Sequence, residues 1–362
     1  MTAPCVMIMA GGTGGHVFPA LSLAEWLRQR GFRIVWLGTH RGIESRLVPA
    51  AGIDIEWIDI GGLRGKNLGT LLAAPWRLAR ALWQSLRAIW RHRPVVVVGL
   101  GGYVTGPGGV AARLAGKPLV IHEQNAVAGF TNRLLAKLAT RVLEGFEGGF
   151  AASVGAIAVG NPVREAFFSL PVPAARFAGR SAAIRVLVIG GSQGAQRLNS
   201  LVPNALAQLK GEFDIEVRHQ SGERGFDSTV AAYRDSAVSA EVTAFIDDVA
   251  AAYAWADVVI CRAGALTVAE VAAAGLAAIF IPLPSAVDDH QTRNAEFLVT
   301  RGAAIRLAER GLDATQLAHA LRELVRDRAV LLGMAEKARG LARPAATREL
   351  GEYCLAAAGV TA

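Results

Sequence analysis

The sequence predicts an α/β protein with two Rossmann-like domains, each built around a parallel sheet. Short apolar runs alternate with longer segments of helical periodicity along almost the whole chain. The two halves also begin alike, because each opens with an apolar run that leads into a glycine-rich loop and then a helix. With 362 residues, of which 52% are apolar and 19% charged, the chain is long and apolar enough to bury two cores.

The predicted strands follow one another in the same order in both halves. In the first half they lie at residues 5–10, 33–38, 54–58, 95–98, 119–122 and 141–143, with helical segments such as 20–30 and 134–139 between them. In the second half they lie at residues 185–189, 216–219, 258–261 and 278–281, and helices are predicted over 312–325 and 330–341. Strands that alternate with helices pair in parallel, with the helices as crossover connections.

The alternation breaks near Asn161, Pro162 and Val163. The segment 171–183, which is rich in proline and small residues, then shows neither the helical nor the strand periodicity. We therefore expect an N-terminal domain over residues 1–162 and a C-terminal domain over 163–343. A last helix within 344–362 is expected to return to the first domain.

Cysteine use and hydropathy exclude several classes of protein. Cys5, Cys261 and Cys354 lie far apart, without a CxxC pair or histidines at zinc spacing, which argues against a disulfide framework or a structural metal. We expect a reducing, cytosolic compartment. Because no basic stretch precedes the first apolar run and no eighteen consecutive residues are apolar, neither secretion nor membrane spanning is expected.

The net charge of +8 is concentrated in one segment. Residues 60–122 contain nine Lys and Arg and no Asp or Glu, and the rest of the chain is close to neutral. A basic patch of this kind indicates an anionic partner such as phospholipid headgroups, nucleic acid or a phosphorylated substrate. A merely solvated basic surface is the alternative.

Three glycine-rich loops follow predicted strands, at residues 11–15, 99–109 and 190–194. Such loops let backbone amides approach an anion, which the dipole of the following helix also favours. A dinucleotide fingerprint is excluded by Val17 and Ser192 at glycine positions, and a Walker A loop by Asn67 and Pro118 after the Gly-Lys pairs. We therefore expect phosphate binding at the carboxyl ends of the strands, in the cleft between the domains, without a nicotinamide cofactor or ATP hydrolysis.

The segment 72–91 predicts an amphipathic helix with an unusual surface. Trp76, Trp83 and Trp90 recur every seven residues and share one stripe, beside which lie Arg80 and Arg87. Aromatic residues flanked by arginines are typical of a helix that lies in the plane of an anionic membrane. The alternative is that the stripe packs onto the sheet.

Seven strings in the chain resemble one known family. They are GGTGGHVFPA (11–20), GGYVTGPGG (101–109), HEQNA (122–126), GNPVR (160–164), GGSQGA (190–195), CRAGALTVAE (261–270) and DDHQTRNA (288–295). In this order they resemble the MurG family, which are GT-B glycosyltransferases of family 28. The resemblance implies an inverting transfer of N-acetylglucosamine from UDP-N-acetylglucosamine to the C4 hydroxyl of N-acetylmuramic acid in lipid I, giving lipid II for peptidoglycan synthesis. It implies an acceptor- and membrane-associating first domain, a UDP-sugar-binding second domain and no cofactor.

The proposed chemistry needs a base and a site for the leaving diphosphate. His16, at the end of the first glycine loop, is the first candidate for the base, with helix N-capping or phosphate binding as the alternative. Glu123 is the second, with the alternative that it is an orienting carboxylate. The diphosphate is assigned to Ser192 and to the first amides of the helix at Ala265, Leu266 and Thr267.

The resemblance implies further contacts with the donor, in a segment that also includes Val268 and Ala269. It assigns Glu270 to the ribose, Ile246 to uracil, Arg164 to the nucleotide, and Asn125 and Gln291 to the sugar. Thr13, Gly14 and Gly15 contact either the donor sugar or the acceptor diphosphate, and Tyr103 belongs to the acceptor and membrane side. No metal is expected, although Asp247-Asp248 and Asp288-Asp289 resemble a metal-binding pair.

The expected partners are UDP-N-acetylglucosamine, lipid I and an anionic phospholipid surface, with proteins of the cell-wall and cell-division machinery as further candidates. The expected location is peripheral, at the cytoplasmic face of the bacterial inner membrane. Two other functions compete with this one. A UDP-N-acetylglucosamine 2-epimerase shares the fold and the donor, but it has no use for the Arg/Trp segment. A nucleic-acid-binding protein would use the basic segment, but it leaves the glycine loops unexplained, and no nucleic-acid partner is expected.

Overall fold

The computed structural model describes residues 3–61, 74–180, 183–191 and 194–360. The chain forms two compact units, one of Met1–Arg164 with Arg343–Ala362 and one of Glu165–Ala342. The first unit is therefore assembled from both ends of the chain, whereas the second is continuous.

Each unit contains one sheet, and all the strand pairs of both sheets are parallel. The strands of the first sheet are β1 (Cys5–Met9), β2 (Arg33–Gly38), β3 (Asp54–Trp57), β4 (Val96–Gly99), β5 (Leu119–Glu123), β6 (Arg141–Glu144) and β7 (Ile157–Ala158). The strands of the second are β8 (Ile184–Ile189), β9 (Ile215–Gln220), β10 (Glu241–Thr243), β11 (Val258–Cys261), β12 (Ala277–Phe280) and β13 (Ile305–Arg306). Their orders are β3-β2-β1-β4-β5-β6-β7 and β10-β9-β8-β11-β12-β13.

The described α-helices connect the strands or follow the last of them. In the first unit they are α1 (Gly14–Arg28), α2 (Glu44–Ala50), α3 (Ala74–His92), α4 (Thr105–Leu114) and α5 (Phe130–Leu135). In the second they are α6 (Glu165–Phe168), α7 (Pro173–Phe177), α8 (Gln196–Ala207), α9 (Phe226–Asp235), α10 (Val249–Trp255), α11 (Ala265–Ala274), α12 (His290–Val299), α13 (Ala314–Val325) and α14 (Arg328–Gly340). The last, α15 (Ala346–Ala357), belongs to the first unit.

Two cores sandwich the first sheet. On one face, Leu23 and Leu27 of α1 pack with Leu350 and Leu355 of α15. On the other face, α3, α4 and α5 contribute small and apolar side chains, which include Ala81, Ile89, Ala111, Ala112 and Leu135. The terminal helix therefore completes the core of the unit in which the chain begins.

The predicted α/β class and the two parallel sheets are confirmed. All ten predicted strands are present, with ends within one residue of those predicted. The sequence did not predict β7, β10 and β13, because two or three residues are too few to show a period.

Two helix predictions were wrong at their ends. The helix expected from residue 20 begins at Gly14, because its first turn contains glycines, which have low helix propensity. The helix expected over 134–139 is α5, which ends at Leu135, and residues 136–138 form a turn.

Each sheet has a point at which the strand order reverses. In the first it lies between β1 and β4, and in the second between β8 and β11. Ligands of open α/β sheets bind beside the carboxyl ends of the strands at such a point. The glycine loops after β1, β4 and β8 all lie at these positions.

Within the described part of the chain, none of the helices combines the length and hydropathy needed to cross a bilayer.

Candidate active site

The two glycine loops of the first unit pack directly on one another at the reversal point between β1 and β4. Gly102 has a φ of +87°, and a Cβ at this position would overlap the carbonyl oxygen of Gly11. Only glycine combines this backbone conformation with so close an approach. The loops therefore form one continuous backbone surface beside the start of α1.

His16 lies in the first turn of α1 and is half-buried. Its ring rests against Gly101, where a Cβ would come within 2.5 Å of the His16 Nδ1 atom. The Nδ1 atom lies 2.9 Å from Oε1 of Gln124. The imidazole is thus held on one side by a glycine and on its Nδ1 edge by an amide.

Gln124 is buried, and it connects His16 to a second histidine. Its Nε2 atom lies 3.1 Å from Nδ1 of His122 and donates to the carbonyl oxygen of His122 at 3.2 Å. The other ring nitrogen of His122, Nε2, lies 2.9 Å from the carbonyl oxygen of Gly160. Burial lowers the pKa of His122 to about 4, so this imidazole is neutral near pH 7.

Glu123 is buried, and its carboxylate is surrounded by donors. Oε1 accepts from the backbone N and the Nδ2 of Asn125, both at 3.0 Å. Oε2 accepts from the backbone N of Gly129 at 3.0 Å and from Nδ2 of Asn132 at 2.9 Å. A carboxylate has about four acceptor positions, and these four bonds use them. This geometry is typical of a carboxylate that orders its own loop and orients Asn125.

Glu44 is a residue of the site that the sequence did not predict. Its fully buried carboxylate accepts from the backbone N of Gly12 at 2.9 Å and from both the N and the Oγ1 of Thr39. The Gly12 amide is therefore already occupied by a carboxylate of the protein. The sequence signal for Glu44 was weak, because this glutamate lies 32 positions from Gly12 and belongs to no motif.

The remaining predicted residues of the first unit lie around the same edge of the sheet. Thr13 is exposed at the N-terminus of α1, and Gly14 and Gly15 form its first turn. Tyr103 is exposed in the loop after β4. The guanidinium of Arg164 lies 5.6 Å from the ring centre of Phe18 in α1.

In the second unit, the glycine loop after β8 is fixed by its neighbours. A Cβ at Gly194, where φ is +73°, would overlap the carbonyl oxygen of Ser221. Gln220 donates from Nε2 to the carbonyl oxygens of Gly191 and Ala244 at 3.1 and 3.0 Å, which joins the loops after β8 and β10. Ser192, the predicted diphosphate ligand, lies outside the described residues.

The other side of this reversal point is the turn after β11, which leads into α11. Gly264 is the N-cap of α11 and, as a glycine, has no side chain with which to cap the first amides at Ala265, Leu266 and Thr267. Nδ2 of the buried Asn294 donates to the carbonyl oxygen of Ala263 and so fixes the turn. The turn therefore presents backbone amides at the positive end of the helix dipole.

Inside α11 the predicted residues differ in exposure. Leu266, Thr267 and Ala269 are half-buried, whereas Val268 and Glu270 are buried. Burial, together with the charge of Glu270, raises the pKa of the Cys261 thiol, which keeps that side chain neutral.

Two arginines hold the opposite end of α11. Arg176 donates to the carbonyl oxygens of Ala274 and Gly275, and Arg339 donates to that of Ala273. The positive charges satisfy the last carbonyls and stabilise the negative end of the dipole.

Gln291, in the first turn of α12, and Ile246 follow strands β12 and β10 at the same edge of the sheet. Oε1 of Gln291 accepts from the backbone N of Leu283 at 2.9 Å, and this bond orients the side-chain amide. Ile246 is half-buried in the connection between β10 and α10.

In each of the two adjacent carboxylate pairs of the second unit, one aspartate bonds within its own segment. Asp248 caps α10 by accepting from Ala251 N at 2.9 Å, and Asp289 accepts from Oγ1 of Thr292 at 2.7 Å. Across residues 3–61, 74–180, 183–191 and 194–360, three or more His, Cys, Asp or Glu side chains are nowhere grouped as a metal site requires.

The predicted tryptophan stripe, Trp76, Trp83 and Trp90, lies on the outer side of α3. Their exposed fractions are 75%, 55% and 61%, whereas Ala81, Ser85, Ala88 and Ile89 form the buried side. The alternative that the stripe packs onto the sheet is therefore wrong. Arg87 lies 5.7 Å from the Trp83 ring centre, and Arg80 pairs with Asp59 at 2.7 Å.

Comparison with known proteins decides the family. The N-terminal domain of glycosyltransferase family 28 matches residues 6–144, and its C-terminal domain matches residues 185–349. The chain belongs to glycosyltransferase family 28. The glycine loops and α11 are thus the carboxyl-edge elements of a family 28 enzyme.

Named relatives are similar over nearly the full length of the chain. The UDP-N-acetylglucosamine–N-acetylmuramyl-(pentapeptide) pyrophosphoryl-undecaprenol N-acetylglucosamine transferase of Halorhodospira halophila is 54% identical, with 98% of each chain covered. The crystal structure of Acinetobacter baumannii MurG is 43% identical, covers 98% of this chain and 99% of its own, and has a TM-score of 0.85.

A 2-epimerase shares only the fold. The UDP-GlcNAc 2-epimerase of Neisseria meningitidis reaches a TM-score of 0.68 at 10% identity, with 98% and 99% of the two chains covered. Family 28 membership therefore favours a glycosyltransferase over the epimerase alternative.

Proposed function

We propose that this chain transfers N-acetylglucosamine from UDP-N-acetylglucosamine to the C4 hydroxyl of N-acetylmuramic acid in lipid I, giving lipid II. The observation that carries the proposal is the 54% identity, over 98% of both chains, to an enzyme named for that transfer. The glycine loops at both reversal points support it, because a diphosphate donor and a diphosphate-linked acceptor each need an anion-binding surface.

His16 is the base in this proposal. A neutral imidazole beside the glycine loops can take the proton of the attacking hydroxyl as the bond to C1 forms. Glu123 serves less well, because its four hydrogen bonds would have to break before it could accept a proton. We assign Glu123 the role of orienting Asn125, which is a candidate sugar ligand.

The leaving UDP is assigned to the second unit. The uncapped amides of α11 and the loop that contains Ser192 stabilise the charge that develops on the diphosphate. Glu270 is assigned to the ribose, Ile246 to uracil, Gln291 to the sugar and Arg164 to the nucleotide. Thr13, Gly14 and Gly15 contact the donor sugar or the acceptor diphosphate, and Tyr103 contacts the acceptor.

The acceptor carries an undecaprenyl chain, so the reaction must take place at a membrane surface. The exposed tryptophan stripe and Arg87 give α3 the character of a helix that binds an anionic bilayer in its plane. We therefore propose peripheral attachment to the cytoplasmic face of the inner membrane. Proteins of the cell-wall and cell-division machinery remain candidate partners.

Incubation of the purified protein with radiolabelled UDP-N-acetylglucosamine, a lipid I analogue and EDTA tests the activity. We expect label in the lipid product. Label in N-acetylmannosamine would instead identify an epimerase. Absence of UDP-N-acetylglucosamine binding would contradict both assignments.

Two variants test the division of roles. H16A should lower kcat by about 10²- to 10⁴-fold, the usual contribution of a positioned base, with UDP binding nearly unchanged. E270A should mainly raise the KM for UDP-N-acetylglucosamine. An equal loss of UDP binding in both variants, measured by calorimetry, would refute these roles.

A further inference from the structure

We infer that Gln124 and His122 are positioning residues that fix the tautomer of His16, so that Nδ1 carries the proton and Nε2 carries the lone pair. The inference rests on the proposed role of His16 as the base. Gly160, His122, Gln124 and His16 form a hydrogen-bonded network, and four hydrogen bonds determine which atom donates at each step.

The hydrogen-bonded network starts at a carbonyl oxygen, which can only accept a hydrogen bond. The carbonyl oxygen of Gly160 lies 2.9 Å from Nε2 of His122, so this nitrogen must carry a hydrogen and donate it. A neutral imidazole has one N–H, and the Nδ1 atom of His122 therefore holds a lone pair. Its burial keeps the ring in this neutral form.

The orientation of the Gln124 amide follows from two acceptors at once. Nδ1 and the carbonyl oxygen of His122 lie 3.1 and 3.2 Å from the same end of the amide. If the amide were reversed, its oxygen would face both acceptors and no hydrogen bond would form. The NH₂ group must therefore point to His122, and Oε1 must point to His16.

An amide oxygen only accepts, so Nδ1 of His16 must donate to Oε1 of Gln124 across 2.9 Å. In the neutral ring the lone pair is then on Nε2, on the side of the ring away from Gln124. Gly101 supports this arrangement because its missing side chain leaves room for the Nδ1 edge. A base with a defined proton position needs no tautomer change before it accepts the hydroxyl proton.

The partner of Nδ1 is neutral, although carboxylates lie on adjacent segments. Glu44 beside the first glycine loop binds Gly12 and Thr39, and Glu123 on β5 binds its own loop. Tyr103, exposed after β4, and Arg164, which lies against Phe18, are further ionisable side chains on the neighbouring segments, and Arg343 lies beside Gly160 at the far end of the network. Gln124 therefore orients His16 without adding a negative charge, which would favour the imidazolium form that cannot act as a base.

Nitrogen-15 NMR of the imidazole groups in the wild-type protein tests the tautomer directly. The signals of His16 are assigned by their loss in H16A. In the neutral ring we expect a protonated Nδ1 and an unprotonated Nε2. A protonated Nε2 in the neutral ring would overturn the inference without recourse to any variant of Gln124.

Substitutions at Gln124 test its effect on the reaction. Q124L removes the acceptor for Nδ1 and should lower kcat by about 10- to 100-fold, within the range that a base contributes, with the KM for UDP-N-acetylglucosamine unchanged. Q124E provides a charged acceptor, and the acidic limb of its kcat/KM profile should move up by about one pH unit or more. H122F should have a smaller effect than Q124L, because the carbonyl oxygen of residue 122 still orients the amide.

The double variant H16A/Q124L is the control. If Gln124 acts through His16, its loss should have no further effect once His16 is absent. Independent, multiplicative losses, or a Q124E profile that does not move, would overturn the inference while wild-type transfer leaves the proposed function intact. Absence of transfer by the wild-type protein would instead refute the function. Thermal unfolding and UDP binding identify any variant that has not folded.

Discussion

At the residue scale, the glycines of the first unit matter as much as its functional side chains, because they allow close contacts between loops. Gly101 and Gly102 let the loop after β4 approach His16 and the backbone of Gly11. Glu44 also fixes the first loop, through the Gly12 amide. The glycine loops beside His16 are therefore positioned mainly by backbone atoms, which do not change rotamer, whereas the Gln124 side chain orients the ring itself.

Alanine substitutions at two glycines can distinguish the effect of the loop contact from that of backbone strain alone. Gly102 and Gly116 both have positive φ, +87° and +65°, but only Gly102 has atoms in the space of a Cβ. G116A should cost about 1 kcal/mol of unfolding free energy and leave kcat/KM unchanged. G102A should lower kcat/KM by about tenfold or more, because the two loops must separate. Equal kinetics for the two variants would show that the loop contact does not position the site.

The motifs identified most of the candidate residues from sequence, but not how they are connected. His122, Gln124 and His16 all lie in recognised strings, yet the hydrogen bond between His16 and Gln124 spans 108 positions. Glu44 was missed for the same reason. Pairings of this kind depend on tertiary structure, and no periodicity or spacing encodes them. Ser192 lies outside the described residues, and its role stays a prediction.

At the element scale, α3 has two faces with different tasks. Small residues on its inner side allow close packing against α4, and the tryptophan stripe faces outward. The seven-residue spacing was enough to predict the stripe because 3.6 residues per turn places such positions on one side. Strands of four or more residues were equally predictable, whereas β7 and β13 were too short.

Vesicle binding tests the outward face. The triple variant W76S/W83S/W90S should bind anionic vesicles at least about tenfold more weakly, with little change in thermal stability, because these side chains are more than half exposed. R87Q should weaken binding by about fivefold, which corresponds to roughly 1 kcal/mol for one basic residue. R80Q should have a smaller effect, because Asp59 already pairs with Arg80.

The control for the tryptophan variants is V330S on α14, which removes an exposed apolar side chain from the second unit. It should bind vesicles like the wild type. Unchanged binding of the triple tryptophan variant in a sedimentation assay would exclude α3 as the membrane surface.

At the scale of the whole molecule, α15 is the element that closes the first unit. Gly351 lies against the ring of Trp26 in α1, and a Cβ there would overlap it. Gly333 in α14 is also inside a helix, but a Cβ there would meet no atom within 4 Å. The two glycines therefore differ in packing and not in helical context.

This difference predicts opposite effects on stability. G351A should lower the free energy of unfolding by about 1–3 kcal/mol through overpacking. G333A should leave it unchanged or raise it by up to about 1 kcal/mol through helix propensity. Denaturant unfolding checks both. A stabilising G351A would mean that α1 and α15 do not pack as closely as described.

The return of the chain to the first unit also sets an order for folding during synthesis. Leu350, Cys354 and Leu355 belong to the core on the α1 face of the first sheet. They are translated after all of Glu165–Ala342. Protein synthesis adds about 5–20 residues per second, so translation of this intervening segment delays completion of that core by on the order of ten to forty seconds. The continuous second unit can finish folding as soon as it leaves the ribosome, whereas the apolar side of α1 waits uncovered for its partner. The unit that is begun first is thus completed last. In a nascent chain stalled before residue 343, the apolar side of α1 would stay exposed to chaperones.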